Sequence, residues 1–152
     1  AKEISEENIV VIETRTIPQG ITALVSFAEG LDEACNTANM VEAIQYVKTG
    51  EVTYSVRDTS IEGVEIKEGD IIGMITSKGI QAVNNTPEKV VLELIERMVD
   101  DESELLYIYY GADTGKKEAE KLQKKLEKTY GDMDVIVQYG GQPLYYYIVS
   151  VE

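Results

Sequence analysis

The chain has 152 residues, 43% hydrophobic and 28% charged, the balance of one ordinary globular domain with its own core, and this excludes a disordered chain. Twenty-eight acidic residues against 14 basic ones give a formal charge of −14, which argues against nucleic acids and anionic membranes as partners because both require a concentrated basic surface. No apolar run approaches the roughly 18 residues of a membrane span, and the opening AKEISEENIVVIE lacks the basic start and apolar stretch of a signal peptide, so integral membrane association is not expected.

A lone cysteine, Cys35, rules out an internal disulfide and fits a reducing, cytoplasmic setting. The absence of histidine removes the commonest general base and the commonest transition-metal ligand. The first residue is Ala rather than Met, and the expectation is a single domain, 1–152, cut from a longer protein.

In chain order, NIVVIE (8–13) is β-branched and predicts a buried strand. TRTIPQG (14–20) predicts a loop, because Pro18 and Gly20 interrupt the pattern. ITALVSFAE (21–29) predicts a short apolar helix ending near Gly30. In the next helix, Leu31, Ala34, Cys35, Ala38, Val41 and Ile44 recur at spacings of three and four and predict a buried face. After Gly50 the period changes to two, with Val52, Tyr54 and Val56 alternating as in a half-buried strand. From there to Asn84, short β runs are punctuated by Glu62-Gly63, Glu68-Gly69 and Lys78-Gly79, which predicts a meander of two or three hairpins over about 50–84.

Thr86 and Pro87 then supply an N-cap and a first-turn proline for a helix whose buried face is Val90, Val91, Leu94, Ile95 and Met98. ELLYIYYG (104–111) predicts a strand, Asp113 or Thr114 caps a helix to about Lys128, and DVIVQY (134–139) predicts the next strand. This βαβ pattern implies a parallel pair. The fold class expected is therefore α/β, a mixed and partly parallel sheet packed by helices with a β-hairpin subregion.

Catalytic signatures are missing. Cys35 lies on the predicted apolar face with no base to activate it and is expected to pack in a core. Neither GxGxxG nor GxxxxGK occurs, and YGADTGKK (110–117) is best explained as a strand-to-helix turn. The acidic DDESE (100–104) lacks the spacing and glycine of a calcium loop and is expected to be a solvated turn. EIKEGDIIG (65–73) is reminiscent of lipoyl-type hairpins, but no second half duplicates it. The lysines of 116–128 alternate with Glu118, Glu120 and Glu127 as a solvated helix face does.

Three loops carry more polar or aromatic capacity than turns need. ETRTIPQG (13–20) offers Arg15, Thr16 and Gln19 beside Pro18, and VRDT (56–59) sets Arg57 beside Asp58, where an ion pair with a neighbouring acid is the simplest role for Arg57. YGGQPLYYY (139–147) joins a stiff turn to a strand whose alternation puts Tyr145, Tyr147 and Val149 on one face, and Tyr146 and Ile148 on the other. Such a strand is either buried on both sides or presents aromatics to a partner. On these grounds alone the chain reads as a non-enzymatic α/β domain with an interaction surface.

TRTIPQGITALVSF, VKTGEVTYSVRDTSIEGVEIKEGDIIGM and VQYGGQPLYYYIVSVE together resemble the C-terminal region of the FakA (YloV-like) family, the ATP-binding component of bacterial fatty acid kinase. The resemblance spans essentially the whole chain. Against the family's KTIPQG, VTYAVRDT and YGGQPLYPYIISVE, Arg15 stands in a lysine position, Ser55 in an alanine position and Tyr146 in a proline position.

The resemblance implies a dihydroxyacetone-kinase-like N-terminal domain, absent from this sequence, that binds ATP and magnesium. It implies separate DegV-like subunits that hold the fatty acid for phosphorylation to acyl phosphate. This piece, which needs no cofactor of its own, would dock that carrier and contact the remaining kinase domains. The contact residues expected are Arg15, Thr16, Pro18, Gln19, Arg57, Asp58, Gln142 and Tyr145, with no catalytic residue and no metal ligand. One rival has Arg15 or Arg57 stabilising the transferring phosphate. The other is a stand-alone small-molecule or lipid-binding module.

Overall fold

The computed structural model describes residues 9–61 and 63–152, which divide into two compact units, one ending at Val47 and the other running Lys48–Glu152. Of the expected strand 8–13, Asn8 lies outside the described residues, as does Glu62 of the first hairpin turn.

In the first unit the expected strand does not form. Residues 9–15 pair with no strand among the described residues, and Val10 and Val11 are exposed, because a β-branched run becomes a strand only where a neighbouring strand takes up its backbone groups. Helix α1 (Ile17–Val25) starts earlier than the sequence predicts. Thr16 is its N-cap, and Pro18 sits in the first turn, where a missing N–H costs nothing. Helix α2 (Glu33–Ala43) is capped by Asp32, whose carboxylate accepts from the Cys35 N–H at 2.8 Å.

The predicted apolar face of α2 is also corrected. Leu31, Ala34, Cys35, Ala38 and Val41 are exposed, and only Ile44 is buried. Cys35 is thus a surface thiol and not a core residue. What holds the two helices is a side chain that periodicity ranks as polar. Asn36 is buried, and its amide accepts from the Ala28 N–H at 2.9 Å and donates to the Ala28 and Leu31 carbonyls at 3.0 and 3.1 Å. A buried amide with three bonds satisfied organises the connection between α1 and α2 where apolar burial does not.

The second unit is built on a six-stranded sheet with the order β5-β4-β1-β8-β6-β7, where β1 is Lys48–Tyr54, β4 Ile71–Ile75, β5 Gly79–Asn84, β6 Leu105–Tyr110, β7 Asp134–Tyr139 and β8 Tyr147–Val151. A separate hairpin, β2 (Thr59–Ile61) with β3 (Val64–Ile66), rises between β1 and β4. The β6–β7 pair is parallel, joined by helix α4 (Lys116–Thr129), and the other sheet pairings are antiparallel. Both the hairpin meander and the βαβ unit are therefore as the sequence predicts. Val56 is an exception: β1 ends at Tyr54, and Val56 is exposed in the following loop. The cap of α4 is Gly115 rather than Asp113 or Thr114.

Helix α3 (Pro87–Met98) and α4 share one core with one face of the sheet. Val90, Val91, Leu94, Ile95 and Met98 of α3, and Ala119, Leu122 and Leu126 of α4, meet Val52, Leu106, Ile108, Val149 and Val151. The alternation of the strands and the 3.6-residue period of the helices place all of these on facing surfaces.

The approach of α3 to the sheet depends on Gly73 in β4. A Cβ there would fall 2.5 Å from Val90 Cγ1 and 3.0 Å from Leu94 Cδ1. Gly73→Ala is expected to cost about 1–3 kcal/mol by overpacking. Combined with Val90→Ala it should cost less than the sum of the two single changes, as read from denaturant unfolding. An additive double variant would contradict this contact.

Glu51 stands on the sheet's other face, opposite Met74 in β4 and Ile148 in β8, and burial raises its carboxyl above the ordinary value. A raised folded-state pKa favours the fold at acid pH, below the unfolded value, and that contribution is lost as the pH rises through the folded value. Glu51→Gln should therefore raise Tm at neutral pH, and thermal unfolding should show the gain vanishing at pH values below the usual carboxylate range.

Candidate functional site

The eight side chains singled out in the sequence fall in different units. In the first, Thr16 Oγ1 accepts from the Gln19 N–H at 3.3 Å, the Arg15 N–H donates to Gln19 Oε1 at 2.8 Å, and Gln19 Nε2 donates to the Ile44 carbonyl at 3.4 Å. Thr16, Pro18 and Gln19 therefore start α1 and tie it to the end of α2. That uses much of the polar capacity that made the loop conspicuous, and the Arg15 side chain stays at the surface.

In the second unit, the structure gathers Arg57, Asp58, Gln142 and Tyr145 at one end of the sheet. This is the end where β1, β5, β6 and β7 finish and β4 and β8 begin. Asp58 Oδ1 accepts from the Glu68 N–H at 2.8 Å, fixing the loop after β1 to the turn before β4. Ser55 donates its hydroxyl to the Arg57 carbonyl at 2.7 Å and fixes the loop from within. The Arg57 side chain is exposed and makes no ion pair among the described residues. The neighbouring acid that would have explained it is thus not engaged.

The 140–146 turn is anchored on both sides. Gln142 Nε2 donates to the Tyr109 carbonyl at 2.8 Å, its own carbonyl accepts from the Ala112 N–H at 3.1 Å, and Thr53 donates its hydroxyl to the Leu144 carbonyl at 2.7 Å. Gly141 and Leu144 carry the positive φ angles, 66° and 69°, that turn the chain. Gly111 is packed so closely that a Cβ would lie 2.1 Å from the Tyr145 carbonyl oxygen. The tyrosine strand is not a sheet edge. β8 lies between β1 and β6 with all five residues buried, so it is covered on both faces, and Tyr145 and Tyr146 are half-buried at its mouth.

Beside this turn lies a cavity of about 520 Å³ that the sequence does not announce. Thr86 and Glu88 at the start of α3, Asp113 and Thr114 before α4, and Tyr146 and Tyr147 of the tyrosine run line it. Glu118 and Lys121 of α4 face the same space. Both helices point their amino ends at it, and neither has a side-chain cap. Glu118 instead reaches back to the Gly115 N–H at 3.3 Å, Glu88 is paired with Lys125 at 3.0 Å, and Thr114 donates to the Tyr146 carbonyl at 3.0 Å. Burial pushes the Tyr147 phenol up to about 12, with Glu118 and Glu88 adding to the shift, so it stays protonated.

The signal that could have found this place lies in the predicted βαβ unit, since ligands of parallel α/β units gather beyond the carboxyl ends of the strands. Residues 110–117, which read as an ordinary turn, occupy that position.

Over residues 1–152 the chain matches the FakA-like C-terminal family, the C-terminal region of a fatty acid kinase component. It is 40% identical over its full 152 residues to protein YloV of Bacillus subtilis and to an uncharacterized protein of Staphylococcus haemolyticus, and 39% identical to one of Staphylococcus aureus. It spans 27–28% of the length of these relatives. Among the described residues no helix is long and apolar enough to cross a membrane. With the whole chain covered by one family and the sequence blocks in matching order, this chain belongs to the FakA-like C-terminal family of fatty acid kinase.

Proposed function

We propose that this domain is the non-catalytic docking domain of a bacterial fatty acid kinase. It holds a DegV-like fatty-acid-binding protein so that an ATP- and magnesium-binding domain elsewhere in the longer protein phosphorylates the fatty acid to acyl phosphate. The reading rests on family membership and on one structural observation. Arg57 is exposed, in no ion pair among the described residues, on a loop pinned by Asp58 and Ser55 at the same end of the sheet as Gln142 and Tyr145.

A guanidinium on a fixed loop is a preorganised contact for a partner carboxylate, and arginine and tyrosine are common among residues that carry interface affinity. The net charge of −14 favours a partner with basic surface around that contact. In the first unit, exposed Leu24, Val25 and Phe27 of the α1 region suit contact with other parts of the longer protein. The same Arg57 also fits the rival role, stabilising charge on a transferring phosphate, and binding and turnover measurements separate the two.

Calorimetric titration of the 152-residue chain with fatty-acid-loaded DegV-like protein should give saturable one-to-one binding that weakens with salt. Arg57→Ala should weaken it about tenfold and leave stability within about 0.5 kcal/mol. If this chain fails to bind while the full-length kinase binds, docking belongs to another domain. If Arg57→Ala spares binding and removes turnover, the phosphate role replaces docking.

A further inference from the structure

The cavity between the amino ends of α3 and α4 contains a group that the fold itself does not use. Tyr147 is 3% exposed, its ring lies in the core shared by both helices, and its hydroxyl makes no hydrogen bond to the described residues. No fully buried side-chain oxygen or nitrogen among the described residues is left without a partner. The Tyr147 hydroxyl is therefore not fully enclosed, and Tyr147 lines the cavity. Buried phenols almost always find a partner, and an unpaired one facing an open space is placed for something that enters it.

The remaining lining sets the chemistry of that visitor. The N–H group of Glu88, in the first turn of α3 and in the lining of the cavity, has no partner among the described residues, and Thr86 does not cap its helix. With the Tyr147 hydroxyl and the Lys121 ammonium, hydrogen-bond donors converge on the space.

The field there is nearly balanced. Glu88, Asp113 and Glu118 face Lys121, the Lys125 that pairs Glu88, and about half a positive charge at each helix end. A dianion would be repelled by three carboxylates, and a cation would meet the Lys121 ammonium and the positive ends of both helices. A single negative charge spread over two acceptor oxygens suits both the donors and the field. Ile71, Pro87 and the Tyr146 ring supply an apolar wall for whatever the charge is attached to.

We infer that the cavity between the amino ends of α3 and α4 is a binding site for a small carboxylate, held by the Glu88 N–H, the Lys121 ammonium and the Tyr147 hydroxyl. It does not rest on the proposed docking role of the Arg57 loop, although Tyr146 of the 140–146 turn borders the cavity.

The probes are acetate, inorganic phosphate and methylguanidinium, each titrated at constant ionic strength into the ¹⁵N-labelled 152-residue chain and followed by amide shifts. Acetate should move the amides of the lining residues Glu88, Thr114, Lys121 and Tyr147 saturably, with a Kd on the order of millimolar for so small a ligand. Tyr147→Phe should weaken acetate about tenfold. It should leave Tm unchanged or raised, since the hydroxyl has no partner to lose. Saturation by phosphate or methylguanidinium instead of acetate overturns the assignment, as does an absence of saturable acetate shifts. Equal acetate affinity in Tyr147→Phe removes the phenol from the site. A fall in its Tm shows that the hydroxyl serves the fold, and either result overturns the proposal.

Discussion

The second unit depends on β8 lying between β1 and β6. Its register with β1 runs from Lys48 opposite Val151 to Val52 opposite Tyr147, and with β6 from Leu106 opposite Val151 to Tyr110 opposite Tyr147. Without it the hairpin meander and the βαβ unit would be two separate sheets, each with an open edge. With it, one continuous face receives α3 and α4, and every residue of β8 is buried. A strand with backbone partners on both sides and apolar residues toward the helices tolerates no register slip, because a slip of one residue would turn Val149 and Val151 away from the core.

The same insertion explains why the polar loops gather where they do. β8 starts at the end of the sheet where β6 stops, so the 140–146 turn must cross beside Gly111. Gln142 and Thr53 then bind that turn to its neighbours on either side, and the amino ends of α3 and α4 open onto the same region. A rigid turn, a pinned loop carrying Arg57 and a cavity beside them are three consequences of one strand order. Proteins commonly place recognition on loops held by such a scaffold.

Much of this was legible in the sequence where structure is local. The faces of α3 and α4, the hairpins and the βαβ crossover follow from periodicity and turn residues. The alternation of the tyrosine run also placed Tyr147 and Val149 on a common side, and both lie in the core. Long-range pairing was not legible. Nothing in QPLYYYIVSVE says that the strand lies at the centre of the sheet, and nothing in NIVVIE says that it finds no neighbour. The apolar stripe of α2 misled because periodicity reports which residues share a face, and not whether anything covers that face. At the candidate site, Arg57 and Gln142 stood out by residue type. Tyr147 and the helix ends at Thr86 and Gly115 are ordinary residues made notable only by where the chain brings them together.

The placement of β8 has a kinetic side. Its two neighbours begin far upstream in the chain, β1 at Lys48 and β6 at Leu105, so the contacts that unite the sheet have high sequence separation. Such closures are slow, because chain entropy is lost before non-local contacts compensate for it. During synthesis, the facing edges of β1 and β6 wait until residues 147–151 arrive. In that interval the half-built sheet is the species most open to pairing with the wrong strand.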